Sequence, residues 1–210
     1  MATRPDKAPV SAGNPCPFLR MMVAQKMVAD AGAPIGELTA SIVKVARTGD
    51  GSPQLPGAAI RAIALIANGL SPLQMARNAS GGVRISELRN GPLDKKGVGS
   101  GILDASGEVV DAQLARLEEF ASDKTNADGH TEKGLSLAEL KRMMDANFER
   151  AKGRRRTLDR KLMDGEWPVL LQVLGKPGKK GRYLSLDDVR TLFVEQRLPA
   201  RMTKRLKASA

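Results

Sequence analysis

The chain has 210 residues, a formal net charge of +11, 41% hydrophobic and 27% charged residues, and a single Cys, a single His, a single Trp and a single Tyr. Those counts exclude a disulfide framework, an all-thiolate zinc or iron–sulfur site and a His-rich metal site. Iron or zinc held by a soft ligand must therefore use Cys16 or His130, or arrive inside a cofactor that supplies most of its own coordination.

Residues 1–13 carry Arg4 and Lys7 with no apolar run behind them, which reads as a flexible tail and not as a secretory signal. The most apolar stretch, residues 58–70, contains Arg61 and falls far short of the roughly 20 residues that span a bilayer. No membrane span and a cytoplasmic location are expected.

From there the grammar is helical. Apolar residues recur at three- and four-residue spacing, as in Leu137, Leu140, Met143 and Met144, and in Leu186, Val189, Leu192 and Phe193. Ser71 to Gln74, Ser136 to Glu139 and Ser185 to Asp188 have capping-box spacing, with Pro72 at the favoured first helical position. This predicts helices over 18–31, 35–46, 58–68, 73–78, 111–121, 137–151, 158–174 and 186–196. The expected fold is all-α: one compact domain over residues 14–200, of about seven or eight short helices joined by Gly- and Pro-rich loops. Residues 90–107 hold five glycines and read as a shaped loop able to approach a ligand closely.

The charge sits late in the chain. Residues 148–210 hold 17 Lys and Arg against seven Asp and Glu, and end in a basic tail over 201–210. Such a surface offers itself to nucleic acid or an anionic membrane. The scarcity of aromatics for base stacking favours a solvated basic face with a frayed end instead.

Asn14-Pro15-Cys16-Pro17-Phe18 places the sole cysteine between two prolines, on a rigid turn ahead of a helix whose N-terminus favours a thiolate. A thiolate there suits the axial position of a heme iron, and an inert small residue at a helix start is the plainer alternative. Together with Asp104-Ala105-Ser106 and Phe193-Val194-Glu195-Gln196-Arg197-Leu198-Pro199, the Pro15-Cys16-Pro17 turn resembles the heme-thiolate peroxidase family, which includes chloroperoxidase and the unspecific peroxygenases. The order and rough spacing of these phrases cover nearly the whole chain.

The resemblance implies heme b with Cys16 as axial ligand, flanked by Pro15, Pro17 and Phe18. It makes Glu166, which opens Glu166-Trp167-Pro168, similar to the family's distal acid–base carboxylate, with Arg160 placed to orient it. It also brings Asp104 and Ser106 forward as magnesium ligands, although Ile102-Leu103 stands where the family has a further acid. The implied activity is peroxide-dependent oxidation or oxygenation of a small apolar substrate. A cofactor-free relative on the same scaffold is an alternative.

A second constellation lies over residues 128–139. On a twelve-residue EF-hand frame, Asp128, His130, Glu132, Ser136 and Glu139 fall on ligand positions 1, 3, 5, 9 and 12, with Leu135 at position 8. Lys133 replaces the turn glycine, and residues 177–188 repeat the rhythm with almost no acids. Residues 128–197 thus resemble a degenerate EF-hand pair, and the stretch is similar to the C-terminal half of caleosins, which bind heme and calcium; that resemblance would make His130 the heme ligand. A non-catalytic calcium- or protein-binding module is the competing function. The plainer reading is a Ser136–Glu139 capping box after a polar loop.

Overall fold

The structure is a computed structural model, and it describes residues 7–89, 91–94, 99–151 and 157–209. The first helix, α1 (Pro17–Ala24), begins as its prolines dictate, with Cys16 as N-cap and Pro17 in the first position. It stops at Ala24 although apolar residues continue at helical spacing. Lys26 turns left-handed at φ 58°, and the N–H groups of Lys26 and Met27 donate back to Val23 O and Met22 O, closing the end in a Schellman turn.

Helices α2 (Ile35–Ala46), α3 (Gly57–Ile66) and α4 (Pro72–Gly81) follow close to their predicted places. Ser71 caps α4 by accepting the Gln74 N–H at 3.2 Å. A short α5 (Asp111–Ala115) runs into a 3-10 turn, Arg116–Glu119. Then come α6 (Leu137–Arg150), α7 (Thr157–Leu174), α8 (Leu186–Phe193) and α9 (Ala200–Ala208).

The fold is not all-α. Strands β1 (Ser122–Thr125), β2 (Thr131–Ser136) and β3 (Tyr183–Ser185) form an antiparallel sheet in the order β1-β2-β3, so helices and a sheet share the domain. The hairpin between β1 and β2 turns through Asn126-Ala127-Asp128-Gly129-His130. Asn126 N–H donates to His130 O at 2.9 Å, and Gly129 supplies the positive φ, 86°, of a three-residue hairpin loop. The strands escape a search for apolar alternation because their half-buried positions include Lys124 and Glu132, which bury by pairing and not by hydrophobicity.

Both presumed tails are tied down where described. Ala8 N–H donates to Ala24 O at 3.1 Å and Ser11 N–H to Asp30 Oδ2 at 2.8 Å; residues 1–6 lie outside the described residues. At the other end α9 docks through fully buried Met202, and Arg201 and Arg205 both pair with Asp50, at 2.9 and 2.6 Å. Burial pushes the Asp50 carboxyl up, but these two guanidiniums outweigh it and hold it below the usual range. Arginines four apart share a helix face, so the basic run that reads as a frayed end is an amphipathic helix.

The main core joins α1, α6, α7 and α8 with both sheet leucines, Leu135 and Leu184. Trp167 stacks on Phe193 with ring centroids 6.3 Å apart, tying α7 to α8. A second cluster, including Leu38, Ala64, Ala67, Val83 and Ile85, holds α2 and α3 against the chain that follows α4. Among the described residues no helix is long and apolar enough to cross a membrane.

Candidate functional site

Between the two clusters lies a cavity of about 630 Å³, inside the range of about 300–1,000 Å³ that small-molecule sites occupy. Helix α7 turns one stripe toward it: Leu162, Gly165, Glu166, Val169, Leu170 and Val173 recur at three- and four-residue steps. Ile60, Ile63, Ala64 and Ala67 do the same from α3 and its C-cap. The small residues Gly165, Ala64 and Ala67 give the cavity its width. Pro168 inside α7 removes one helical hydrogen bond from this wall.

Ile63 and Val169 are 53% and 45% exposed, yet both border the cavity. Apolar surface left wet in this way forfeits about 25 cal/mol per Å², a cost that an apolar occupant would remove. The charged residues on the lining are few: Arg89, Asp94, Lys161 and Glu166.

Cys16 and Glu166, 150 positions apart in sequence, border this same cavity, and Pro15, Pro17 and Phe18 border it beside the cysteine. Cys16 is partly buried, and its N–H donates to Oδ1 of the fully buried Asn14 at 3.2 Å. Arg20, one turn into α1, braces the Pro-Cys-Pro turn from beneath: its Nη1 donates to Ser11 O at 2.9 Å and to Asn14 O at 3.1 Å. Burial pushes the Arg20 guanidinium down from its ordinary value, while Glu108, Asp30 and Asp104 work against that push. A charged residue inside the apolar run Leu19 to Val23 was the sequence signal for this brace.

Arg160 does not border the cavity. Its guanidinium pairs with Asp145 at 2.6 Å and Asp164 at 3.1 Å and lies over the Phe148 ring at 5.5 Å, so it ties α6 to α7. These pairings, Asp145 first, hold its charge firmly by raising the pKa. Lys161, its neighbour, is the basic residue of α7 that borders the cavity.

Asp104 and Ser106 are brought together, but in a turn of their own. Asp104 Oδ1 accepts from Ser106 Oγ at 2.6 Å and from the Glu108 N–H at 2.9 Å, and these bonds hold the carboxyl below its usual range. Gly107, at φ 83°, passes so close to Arg20 that a Cβ there would sit 2.6 Å from its Nη1. One carboxylate engaged within its own turn does not fit magnesium, which demands a near-octahedral oxygen shell.

The frames 128–139 and 177–188 do pair, with Leu135 opposite Leu184 at the eighth position of each. Their carboxylates, however, are held by side-chain cations. Glu139 takes the Lys124 ammonium at 2.7 Å and the Ser122 hydroxyl at 2.6 Å, and closes the capping box with Ser136. Glu132 takes Lys176 at 2.7 Å together with the Tyr183 and Ser185 hydroxyls. Because its hydroxyl turns to Glu132, Ser185 stands at the N-cap of α8 without capping it. Asp188 takes Arg201 at 2.7 Å, although burial still pushes its carboxyl up. Asp128 and His130 lie exposed on the hairpin turn, and the partners of Glu132 and Glu139 named above include neither. Among the described residues no three His, Cys, Asp or Glu converge on a point that could hold a metal ion, and the set does not fit calcium.

The Glu139 network fixes a pH dependence. Burial alone would raise the carboxyl, but Lys124, Ser122 and Ser136 bring it down to about 2 from an ordinary 4.5. A depressed folded pKa gives stability that is fully present above the unfolded value and lost as pH falls from about 4.5 through 2. Glu132, also held low, adds with the same sign. Glu139→Gln is expected to lower the melting temperature at pH 7, at a cost of roughly 2–3 kcal/mol for the orphaned ammonium and hydroxyls. It is also expected to flatten the fall in melting temperature between pH 4.5 and 2, and calcium should leave both proteins' melts unchanged. A variant whose acid limb is as steep as the wild type's would remove Glu139 as its source.

No family model matches the chain, and no curated protein or solved structure matches it at a significant level.

Proposed function

We propose that this chain is an enzyme whose cavity pairs a sulfur ligand with an acid–base carboxylate. More particularly, we read it as a heme-thiolate peroxidase or peroxygenase that uses hydrogen peroxide to oxidise or oxygenate a small apolar substrate. One observation carries the reading: a single, mostly apolar cavity of about 630 Å³ is bordered at once by Cys16 and Glu166. The family resemblance of the Pro15-Cys16-Pro17 turn supports it independently.

The residues present fit heme b in size and in donor chemistry. Ile, Leu and Val side chains with Phe18 and Trp167 supply apolar walls, and Cys16 supplies the one soft ligand. Cys16 would hold the iron through Sγ, with the first-turn amides of α1, which lack helical acceptors, favouring its negative form. When bound, the group supplies oxidising chemistry in which thiolate donation favours O–O cleavage. Glu166 would take a proton from one peroxide oxygen and return it to the departing one, which is general acid–base work. Leu162, Val169 and Leu170 around it would exclude bulk water and meet an apolar substrate.

The test is the absorption spectrum of protein supplied with hemin during expression, reduced under carbon monoxide. A strongly red-shifted carbonyl Soret band is the expected result. A band at the position of histidine ligation would replace Cys16 with His130, and no Soret band would overturn the reading.

A further inference from the structure

Heme b is not apolar throughout: its two propionates are carboxylates, and a cavity walled by Leu, Val and Ile must answer them with a cation or expose them to water. We propose that Arg89 is that cation, binding a propionate directly as a guanidinium–carboxylate pair with no metal between them. The proposal rests on the heme reading above and deepens it.

Arg89 borders the cavity and is half-buried. Its Nε donates to Ala12 O at 2.9 Å and its Nη2 to Asp104 O at 2.8 Å, so two neutral carbonyls fix the plane of the guanidinium. A guanidinium has five N–H donors, and these bonds use one on Nε and one on Nη2. Among the described residues no carboxylate pairs with it. Planar, pre-oriented and unneutralised, it matches the geometry in which carboxylates are bound with two parallel hydrogen bonds. Lys161, the other cation on the lining, is exposed on a flexible stem and is the weaker anchor.

The backbone of Arg89 is anchored as well. Its N–H donates to Gly13 O at 2.7 Å, one residue beyond the carbonyl that its Nε holds. Arg89 thereby links the chain leading into the Pro-Cys-Pro turn to the turn around Asp104. The Asp104 turn is closed on itself and flanked by two guanidiniums, which leaves the charge to Arg89 where a bridging cation has no shell.

Absorbance titrations of the apoprotein with hemin and with hemin dimethyl ester, whose carboxylates are masked, test this. Wild type is expected to bind hemin about ten- to a hundredfold more tightly than the ester. Arg89→Leu should lose that preference by weakening hemin while sparing the ester, and Arg89→Lys should keep part of it. Adding magnesium or EDTA should change none of the curves. Equal wild-type affinity for acid and ester, an undiminished preference in Arg89→Leu, or a preference abolished by EDTA would each overturn the assignment while leaving the heme reading standing. Wild type that binds neither compound overturns both.

Discussion

Cys16→Ala is expected to abolish the red-shifted carbonyl band and peroxide turnover while leaving a folded protein. The spectral loss is complete because the chain has no second cysteine to take over. The structural loss is small: Cys16 is only partly buried, and its side chain makes no capping hydrogen bond to α1. The turn is held instead by the two prolines and by Arg20, both untouched by the change. A cost of about 1 kcal/mol would move the melting point by roughly 2–4 °C in a domain of this size. A variant that keeps the wild-type band would remove Cys16 from the iron; one that fails to fold would lack the cooperative melt that the wild-type apoprotein shows, which separates collapse from loss of the ligand.

Glu166→Gln is expected to retain heme and to slow the reaction with peroxide by about 10²- to 10⁴-fold, the usual worth of a positioned acid–base group. Gln has the same shape and still accepts a hydrogen bond, but it cannot take the proton. Glu166 lies on the exposed, cavity-facing stripe of α7, so the exchange leaves the packing of Trp167 against Phe193 in place. Stopped-flow mixing of the ferric protein with hydrogen peroxide measures the step directly. Rates equal to those of the wild type would make Glu166 an ordinary solvated acid, and a loss of heme along with rate would make it part of the binding wall.

The helices that were legible are those marked by apolar spacing, and α1, α4 and α6 are marked by their boundaries as well. Ser71, Ser136 and Pro17 mark starts that the structure keeps. The sheet was not legible, because its inner positions hold Lys124 and Glu132, whose burial depends on partners from β3 and α6 that no local window contains. Asp128-Gly129 read as the opening of an ion loop, but Gly129 turns a hairpin there, and Lys124 holds the Glu139 carboxylate. Helix α9 was hidden by its charge, since Arg201 and Arg205 look solvated until Asp50 comes beside them.

The candidate site was legible where a motif carried chemistry at one position, as at Cys16 and Glu166, which the fold brings to one cavity. Arg160 shows the limit of that approach: six residues from Glu166, it turns to Asp145 on another helix. Arg89 had no motif at all. It belongs to the site through carbonyls of Ala12 and Asp104, contacts that only the tertiary fold supplies.

The ammonium groups of Lys124 and Lys176 are part of the chain, and this sets how the paired loops respond to their surroundings. A diffusible ion leaves when its supply falls below its dissociation constant, whereas a tethered one is always present at the effective concentration its stem dictates. Chelators, dilution and swings in divalent ion level should therefore pass this half of the molecule by. Acidity, which protonates Glu139 and Glu132, is the solution variable that reaches this network.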